Sequence, residues 1–175
     1  MASKLRVDSI LPVDGAPTNG GGGIIQVAST TKTDTFASTS TDSFIDITGM
    51  SVTITPKFSS SKILILASIN LAAESSHNYG FRFVRDSTAI AIGDANSSNQ
   101  RVTAFSVSQG VTSNSQHFSP TFLDSPSTTS AVTYKLQCIG QGGSTGIYLN
   151  RPETTNTGPD FFRGVSTITL MEVSA

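Results

Sequence analysis

The stretch that decides the fold is "MSVTITPKFSSSKILILASINLAA", residues 50–73. Its first part alternates short hydroxyl-bearing residues with apolar ones, and Pro56 ends this alternation. The apolar positions are Met50, Val52 and Ile54. A period of two is typical of a β-strand with one buried and one solvated face. The second part contains the longest apolar run, Ile63–Ala67, and such runs favour central strands. We therefore expect a half-buried strand, followed by a central strand covered on both faces.

Alternation of the same kind recurs downstream. In "YGFRFVRDSTAIAIGD", residues 79–94, aromatic residues fall on one face and Asp86-Ser87-Thr88 supplies a turn, which predicts a hairpin. In "TSAVTYKLQCIG", residues 129–140, one face is formed by Val132, Tyr134, Leu136 and Cys138. Strand signals return at spacings of roughly 8–15 residues, and no segment has a sustained helical period. This rhythm predicts an all-β fold, an antiparallel β-sandwich of jelly-roll type rather than a closed barrel.

The same patterns predict several local details. Phe44–Ile47 should form a short strand that turns at Gly49. The segments Arg101–Gln109 and Ser115–Asp124 should pair with each other. Long polar loops are expected at Asp94–Gln100, Gln109–Ser115 and Arg151–Arg163. Loops of this kind are where β-scaffolds carry recognition.

Composition limits the classes of function. The chain has 175 residues, enough for one domain plus a tail, and a net charge of -1. Charged residues make up 13%, about half the usual quarter. No basic patch of the kind that binds nucleic acid or an anionic membrane is visible. The longest apolar run is far shorter than a membrane span. We expect neither a nucleic-acid partner nor membrane insertion.

The first 23 residues read as an extended N-terminal arm, and residues 24–175 as the β-sandwich domain. In "KLRVDSILPVDG", residues 4–15, apolar and polar residues alternate before Pro12 sets an extended or turn geometry. Gly20–Gly23 then form a hinge. The candidate docking residues of the arm are Leu5, Val7, Ile10, Leu11 and Val13. One interpretation is a disordered terminus; the other, which the apolar residues favour, is an arm that orders on a partner.

No constellation for metal, cofactor or nucleophilic chemistry stands out. His77 and His117 are far apart and no pair of ligands has zinc spacing. Cys138 is the single cysteine and falls on an apolar face, where cysteine is usually a small core residue. Nothing in the chain fixes a pair of carboxylates for glycoside hydrolysis. We therefore expect no enzyme activity, no metal and no cofactor.

Three aromatic residues lie close to predicted loops. Tyr148 is part of "GIYLNRP", and Phe161 and Phe162 are part of "GPDFFRG". Aromatic side chains in loops can stack on sugars or pack across a subunit boundary. They can equally fold back onto their own core. These three residues are therefore candidates for a subunit interface or a glycan contact, with core packing as the alternative.

Several segments taken together resemble a known family. The arm "KLRVDSILPVDG" resembles the N-terminal segment of tailed-phage fibre and virion appendage proteins, especially those of cyanophage-like viruses. The segments "GIIQVASTTKTDTF", "FIDITGMSVTITPKFSSSKILIL", "FRFVRDSTAIAIGD", "FLDSPSTTSAVTYKLQ" and "STITLMEV" resemble a β-domain that recurs in such proteins. The resemblance covers nearly the whole chain in the same order, although no single motif is diagnostic.

The resemblance implies a homotrimeric virion structural protein. Fibres usually carry a long shaft, whereas here the arm meets the β-domain through four glycines. That departure favours a capsid decoration, or cement, protein on the exterior of the virion head. The arm would dock on the major capsid protein, and the trimer would project outward and contact a host surface glycan. The mechanism would be burial and multivalency.

Other functions stay open at the level of sequence. The main alternative is the receptor-binding tip of a tail fibre or tailspike, which differs from a decoration protein in copy number and in its place in the virion. A depolymerase of a phage spike would carry a β-helix repeat body, which the sequence lacks. A cellular lectin unrelated to phage is the remaining alternative.

Overall fold

A computed structural model describes residues 23–39, 43–74, 76–141, 146–154, 158–159 and 161–174. Within these residues it contains strands and no helix. In chain order the strands are β1 (Ile24–Lys32), β2 (Phe36–Ser38), β3 (Ile45–Ile54), β4 (Lys62–Ala73), β5 (Asn78–Arg85), β6 (Thr88–Ile90), β7 (Ala104–Val107), β8 (Gln116–Phe118), β9 (Thr121–Asp124), β10 (Val132–Gln141), β11 (Ile147–Leu149) and β12 (Ser166–Val173). The predicted all-β class is confirmed.

The strands form two antiparallel sheets. The large sheet has the order β1-β12-β4-β11-β2, and β8 and β9 also pair with β4. The small sheet has the order β3-β10-β5-β6, and β7 also pairs with β5. Strands β8 and β9 are one line of pairing interrupted at Pro120, whose carbonyl accepts the Ala67 amide at 3.1 Å. The pairs β1/β2, β6/β7 and β11/β12 can likewise each be counted as one strand. The large sheet then has the order β1/β2, β11/β12, β4, β8/β9, and the small sheet has the order β3, β10, β5, β6/β7. These eight strands have the arrangement of a jelly-roll sandwich.

The core lies between the sheets and follows from the alternation of the strands. Inward positions of β3, β4, β5, β10 and β12 are almost fully buried, with Tyr134, Phe81 and Phe83 the largest side chains among them. Phe81 of β5 meets Phe118 of β8 edge to face, with ring centroids 5.2 Å apart. In this geometry the edge of one ring packs against the face of the other. Because β5 belongs to the small sheet and β8 to the large sheet, the contact joins the two sheets.

The predicted strand Phe44–Ile47 is confirmed over Ile45–Ile47, whereas the predicted turn at Gly49 is wrong. The chain continues through Gly49 as the single strand β3. Gly49 has a φ of 84°, in the left-handed region that glycine adopts without a Cβ clash. There the pairing with β10 shifts, from Lys135 opposite Ser51 to Gln137 opposite Asp46. The glycine therefore makes a bulge within a strand, and bulges interrupt a ladder without ending it.

The predicted pairing between 101–109 and 115–124 is also wrong. Strand β7 pairs with β5 in the small sheet, whereas β8 and β9 pair with β4 in the large sheet. An isolated two-stranded ribbon is marginally stable at best. Each short strand instead joins a longer strand that has already buried one face in the core.

Strand β4 is central, as predicted, but only its inward face is covered. Ile63, Ile65 and Ile69 are fully buried, whereas Leu64 and Leu66 on the other face are half-buried. A two-layer sandwich leaves an outer face on each sheet, because no third layer covers it. The prediction of a strand covered on both faces is therefore wrong for this single chain.

The predicted arm lies outside the described residues, apart from Gly23. Its candidate docking residues, Leu5, Val7, Ile10, Leu11 and Val13, stay predictions. The Gly23 carbonyl accepts a hydrogen bond from the Ser174 amide at 3.0 Å, which ties the start of β1 to the end of β12. The point at which the arm leaves the sandwich is thus located beside Ile24 and Val173.

Candidate functional site

The outer face of the large sheet carries a row of apolar side chains. The register places Val27 of β1 opposite Met171 of β12, Met171 opposite Leu64 of β4, and Leu64 opposite Leu123 of β9. The row therefore crosses four strands in one straight line. We call it the apolar row. At its two ends Val27 is 56% exposed and Leu123 is 51% exposed, and the two middle residues are half-buried.

The surroundings of the apolar row are weakly polar. Leu66 and Val173 extend it on either side, and the next cross-strand positions are Ser29, Thr169 and Thr121. Among the outward positions of β1, β4, β9 and β12, Lys62 is the one charged residue. Contiguous exposed apolar patches on soluble proteins mark interaction sites. The outer face of the large sheet is therefore a candidate interface.

The outer face of the small sheet is built differently. Asp46 accepts hydrogen bonds from Lys135 Nζ at 2.7 Å and from Gln137 Nε2 at 2.7 Å. Gln137 in turn accepts one from Arg82 Nε at 2.9 Å, and the Arg82 guanidinium lies 3.5 Å from the centroid of the Phe44 ring. The hydrogen bond from Lys135, joined by that from Gln137, holds the pKa of Asp46 below its ordinary value despite partial desolvation. We call these residues the polar lattice.

The aromatic residues predicted as a site are linked through Arg151. Tyr148 lies on β11, and the Arg151 guanidinium is 4.2 Å from the centroid of its ring. Burial raises the pKa of the Tyr148 hydroxyl. Phe161 and Phe162 line a small cleft of about 330 Å³ together with Arg151 and Asn70. Phe162 is 79% exposed. Their role as a subunit or glycan contact stays a prediction.

Asn150 holds this aromatic region in place. It is buried and has a φ of 61°. Its side-chain nitrogen donates to the carbonyls of Lys32 and Asp34 at 2.8 and 2.9 Å, and its side-chain oxygen accepts from Ser166 Oγ at 2.6 Å. Asparagine tolerates the left-handed backbone better than other side chains. Asn150 thus joins the end of β1, the connection between β1 and β2, and the start of β12, immediately before Arg151.

A buried carboxylate, Asp124 on β9, lies where the two sheets meet. Its carboxylate accepts two hydrogen bonds from Arg85 Nη1, at 2.9 and 2.8 Å, and one from the Tyr134 hydroxyl at 2.6 Å. Burial, and next the hydrogen bond to Asp124, raise the pKa of Tyr134. Arg85 and Tyr134 belong to the small sheet, so this cluster clamps the two sheets together. A carboxylate engaged in this way is a structural group.

The side chains considered as nucleophiles or metal ligands do not lie together. Cys138 is fully buried in the core, and burial raises the pKa of its thiol to about 12. His117 is hydrogen-bonded to Asn70 Oδ1 at 3.2 Å and to Ser119 Oγ at 2.8 Å. Across the described part of the chain, no three His, Cys, Asp or Glu side chains gather into a group that could hold a metal ion. The same residues contain no helix able to cross a membrane.

The fold and its surfaces define the class of this protein, a jelly-roll β-sandwich with one polar and one apolar outer face. Neither a comparison with protein-family models nor one with curated proteins returns a match for this chain. The likeness to virion appendage proteins accordingly rests on the quoted segments alone.

Proposed function

We propose that this protein is a non-enzymatic structural protein of a phage virion, a homotrimer that decorates the exterior of the capsid. The observation that carries the proposal is the apolar row on the outer face of the large sheet. It supports self-association, because a monomer in water would leave this row exposed. The phage setting is supported by the resemblance of the N-terminal segment and of the β-domain segments.

The chemistry of the apolar row suits a second copy of the same chain. Burial of apolar surface contributes about 25 cal/mol per Å², and this face has almost no charge that would have to be desolvated. Around a three-fold axis one part of a face packs against a different part of the same face on the next chain, and residues close to the axis meet their own copies, so one apolar face can be shared by three subunits. Asn70, which lines the cleft of Phe161 and Phe162, faces the same side of β4 as Leu64. The predicted aromatic contacts are therefore continuous with this face.

The arm supplies the attachment to the major capsid protein in this proposal. It ends at Gly23, directly before the strand that carries Val27. Apolar residues in an extended arm can add area, or a strand, to a neighbouring subunit. Three arms on one trimer bind with avidity, since the second and third engage as intramolecular events.

A non-enzymatic role is supported by the state of the reactive groups. The thiol of Cys138 is sealed in the core, and the Asp124 carboxylate is engaged by Arg85 and Tyr134. A nucleophile or general acid must reach its substrate, and neither group is placed to do so.

The first test is the solution mass of the full-length protein, by light scattering coupled to gel filtration. A mass of three times 18.3 kDa is expected. A mass of 18.3 kDa would contradict the proposed association.

The second test removes the arm. Deleting residues 1–22 retains Gly23 and its hydrogen bond to Ser174. We expect the shortened protein to keep its trimer mass and melting temperature, and to lose co-sedimentation with phage heads that lack the protein. Unchanged co-sedimentation would show that the arm is not the anchor. Full-length protein that binds tails rather than heads would favour the receptor-binding tip.

A further inference from the structure

The outer face of the small sheet holds an open cleft of about 990 Å³. It lies where the segment 93–103, which connects β6 to β7, passes over the sheet. Gly80 of β5 and Ile139 of β10 pair directly across the sheet and form the floor, and Phe105 of β7 forms a wall beside them. The polar lattice occupies the same sheet at a different position.

Phe105 is held with its ring in solvent. It is 75% exposed and lies opposite Gly80 in the β5–β7 ladder. A Cβ atom on residue 80 would come within 2.9 Å of the Ala104 carbonyl oxygen and 3.2 Å of Phe105 Cβ. Glycine at this position thus lets β7 and the Val102 side chain lie close to β5. The exposed Phe105 ring and the half-buried Val102 side chain together form an apolar surface on one side of the cleft.

The rim of the cleft is rich in amide groups. Asn96, Asn99 and Gln100 carry side chains that make no hydrogen bond to any residue the structure describes. Their segment is nevertheless tied down, because Arg101 Nε donates to the Gly93 carbonyl at 2.6 Å. The Thr103 amide also donates to the Phe81 carbonyl at 2.8 Å. The rim therefore presents amide donors and acceptors from an anchored backbone.

The charges of the cleft balance. Its lining includes one acidic residue, Asp94, and one basic residue, Arg101, and the guanidinium of the latter is already used within the loop. An ionic ligand has no excess of opposite charge to meet here. An apolar ring beside amides that can both donate and accept suits a neutral molecule with apolar faces and many hydroxyl groups. A neutral oligosaccharide has this chemistry, and the volume admits several sugar rings.

We propose that this cleft binds a neutral oligosaccharide, with Phe105 stacking on a sugar ring and the Asn96–Gln100 rim bonding its hydroxyls. The inference goes beyond the proposed trimer and does not depend on it, because the cleft lies on the opposite sheet from the apolar row. In a trimer associated through the large sheet, the cleft of each subunit faces outward.

The test is a titration of the full-length protein, followed by saturation-transfer-difference NMR and calorimetry. The probes are the neutral hexasaccharides of α-1,4-glucan, β-1,4-glucan, β-1,3-glucan, β-1,4-mannan and β-1,4-xylan, with trigalacturonic acid as the acidic probe. At least one neutral hexasaccharide should bind and trigalacturonic acid should not. Phe105→Ala should weaken that binding about tenfold or more, which corresponds to about 1.4 kcal/mol.

Two controls and one rescue make the result specific. Phe58→Ala removes another exposed phenylalanine, in the connection between β3 and β4, and it should leave sugar binding unchanged. Phe105→Tyr keeps a ring that can stack and should retain binding. Asn99→Ala removes a rim amide and should weaken binding. Phe105→Ala and Asn99→Ala should both keep the wild-type melting temperature, because neither side chain lies in the core.

The inference is overturned if no neutral probe binds, if only the acidic probe binds, or if Phe105→Ala binds as tightly as Phe58→Ala. Light scattering on the same samples keeps the two proposals separate. A trimer without sugar binding refutes the cleft alone, and a monomer that binds sugar refutes the proposed association alone.

Discussion

The two outer faces of this sandwich are made from strands of similar length and similar residue propensities, yet their chemistry is opposite. On the small sheet, four polar side chains form hydrogen bonds to one another: Asp46, Lys135, Gln137 and Arg82. On the large sheet, the corresponding positions hold the apolar row and hydroxyl-bearing residues. The polar lattice, whose groups already bond to one another, has little to gain from a partner. A face of exposed aliphatic groups gains from any surface that covers it.

The largest expected effect comes from placing charge on the apolar row. Val27→Glu combined with Leu123→Glu alters its two most exposed ends, so each subunit should still fold. We expect the mass by light scattering to fall from three chains to one, because burying the carboxylates in an interface is costly. The matched control, Thr48→Glu with Ser51→Glu, adds the same charge to exposed positions of β3 and should leave the mass unchanged. A trimer that tolerates the first pair would place the interface elsewhere.

The next effect concerns the clamp that holds the two sheets together. Asp124→Ala leaves Arg85 and Tyr134 without their shared acceptor, so the free energy of unfolding should fall by about 3 kcal/mol. Tyr134→Phe removes one hydrogen bond and should cost about 1 kcal/mol. Urea denaturation at a fixed protein concentration measures both variants. Equal losses would show that Arg85 contributes nothing to the clamp.

A smaller effect is expected at the bulge that sets the register of the polar face. Gly49→Ala places a Cβ on a backbone with a φ of 84° and 3.3 Å from Lys32 Nζ. The free energy of unfolding should fall by about 1–2 kcal/mol. Gly93→Ala is the control, since a Cβ there meets nothing within 4 Å. A neutral result at Gly49 would mean that the bulge relaxes when the glycine is replaced.

The smallest effect concerns the polar lattice itself. The pKa of Asp46 is lowered from its ordinary value of 3.8, chiefly by the hydrogen bond from Lys135. Its stabilising contribution is therefore complete above the unfolded-state pKa and is lost as the pH falls through the folded-state pKa. Because Asp46 is half exposed, Asp46→Asn should cost less than about 1 kcal/mol at pH 7. Below the folded-state pKa the variant and the wild type should unfold at the same urea concentration; a constant difference across pH would exclude an ionic cause.

The fold could be predicted from the sequence wherever apolar and polar residues alternate along a strand. The inward faces of β3, β5 and β10 were predicted correctly, since alternation over several residues is a local property. The strands that pair with β7, β8 and β9 were not predicted correctly, because pairing depends on which long strand has a free edge. Gly49 was predicted to end a strand, since a turn and a bulge both favour glycine there.

The candidate sites divide in the same way. The apolar residues of β4 can be read from the sequence. Which of them stay exposed depends on the number of layers, because a sandwich of two sheets leaves the outer face of each sheet uncovered. Tyr148, Phe161 and Phe162 were singled out by their place near loops, whereas their link through Arg151 needed coordinates. The sequence indicated the Asp94–Gln100 loop at the rim of the cleft, but it did not indicate the contact between Gly80 and Phe105, because these residues are distant in the chain and meet only by strand pairing.

The sequence by itself therefore determined the β-class, the positions of the long strands and the side chains that enter the core, because each depends on neighbours a few residues apart. The tertiary structure alone decided which strands share a sheet, which apolar residues stay in water, and where Phe105 and Gly80 make a cleft. Those outcomes depend on contacts between residues far apart in the chain, and pairing across a sheet brings such residues together without any local signal.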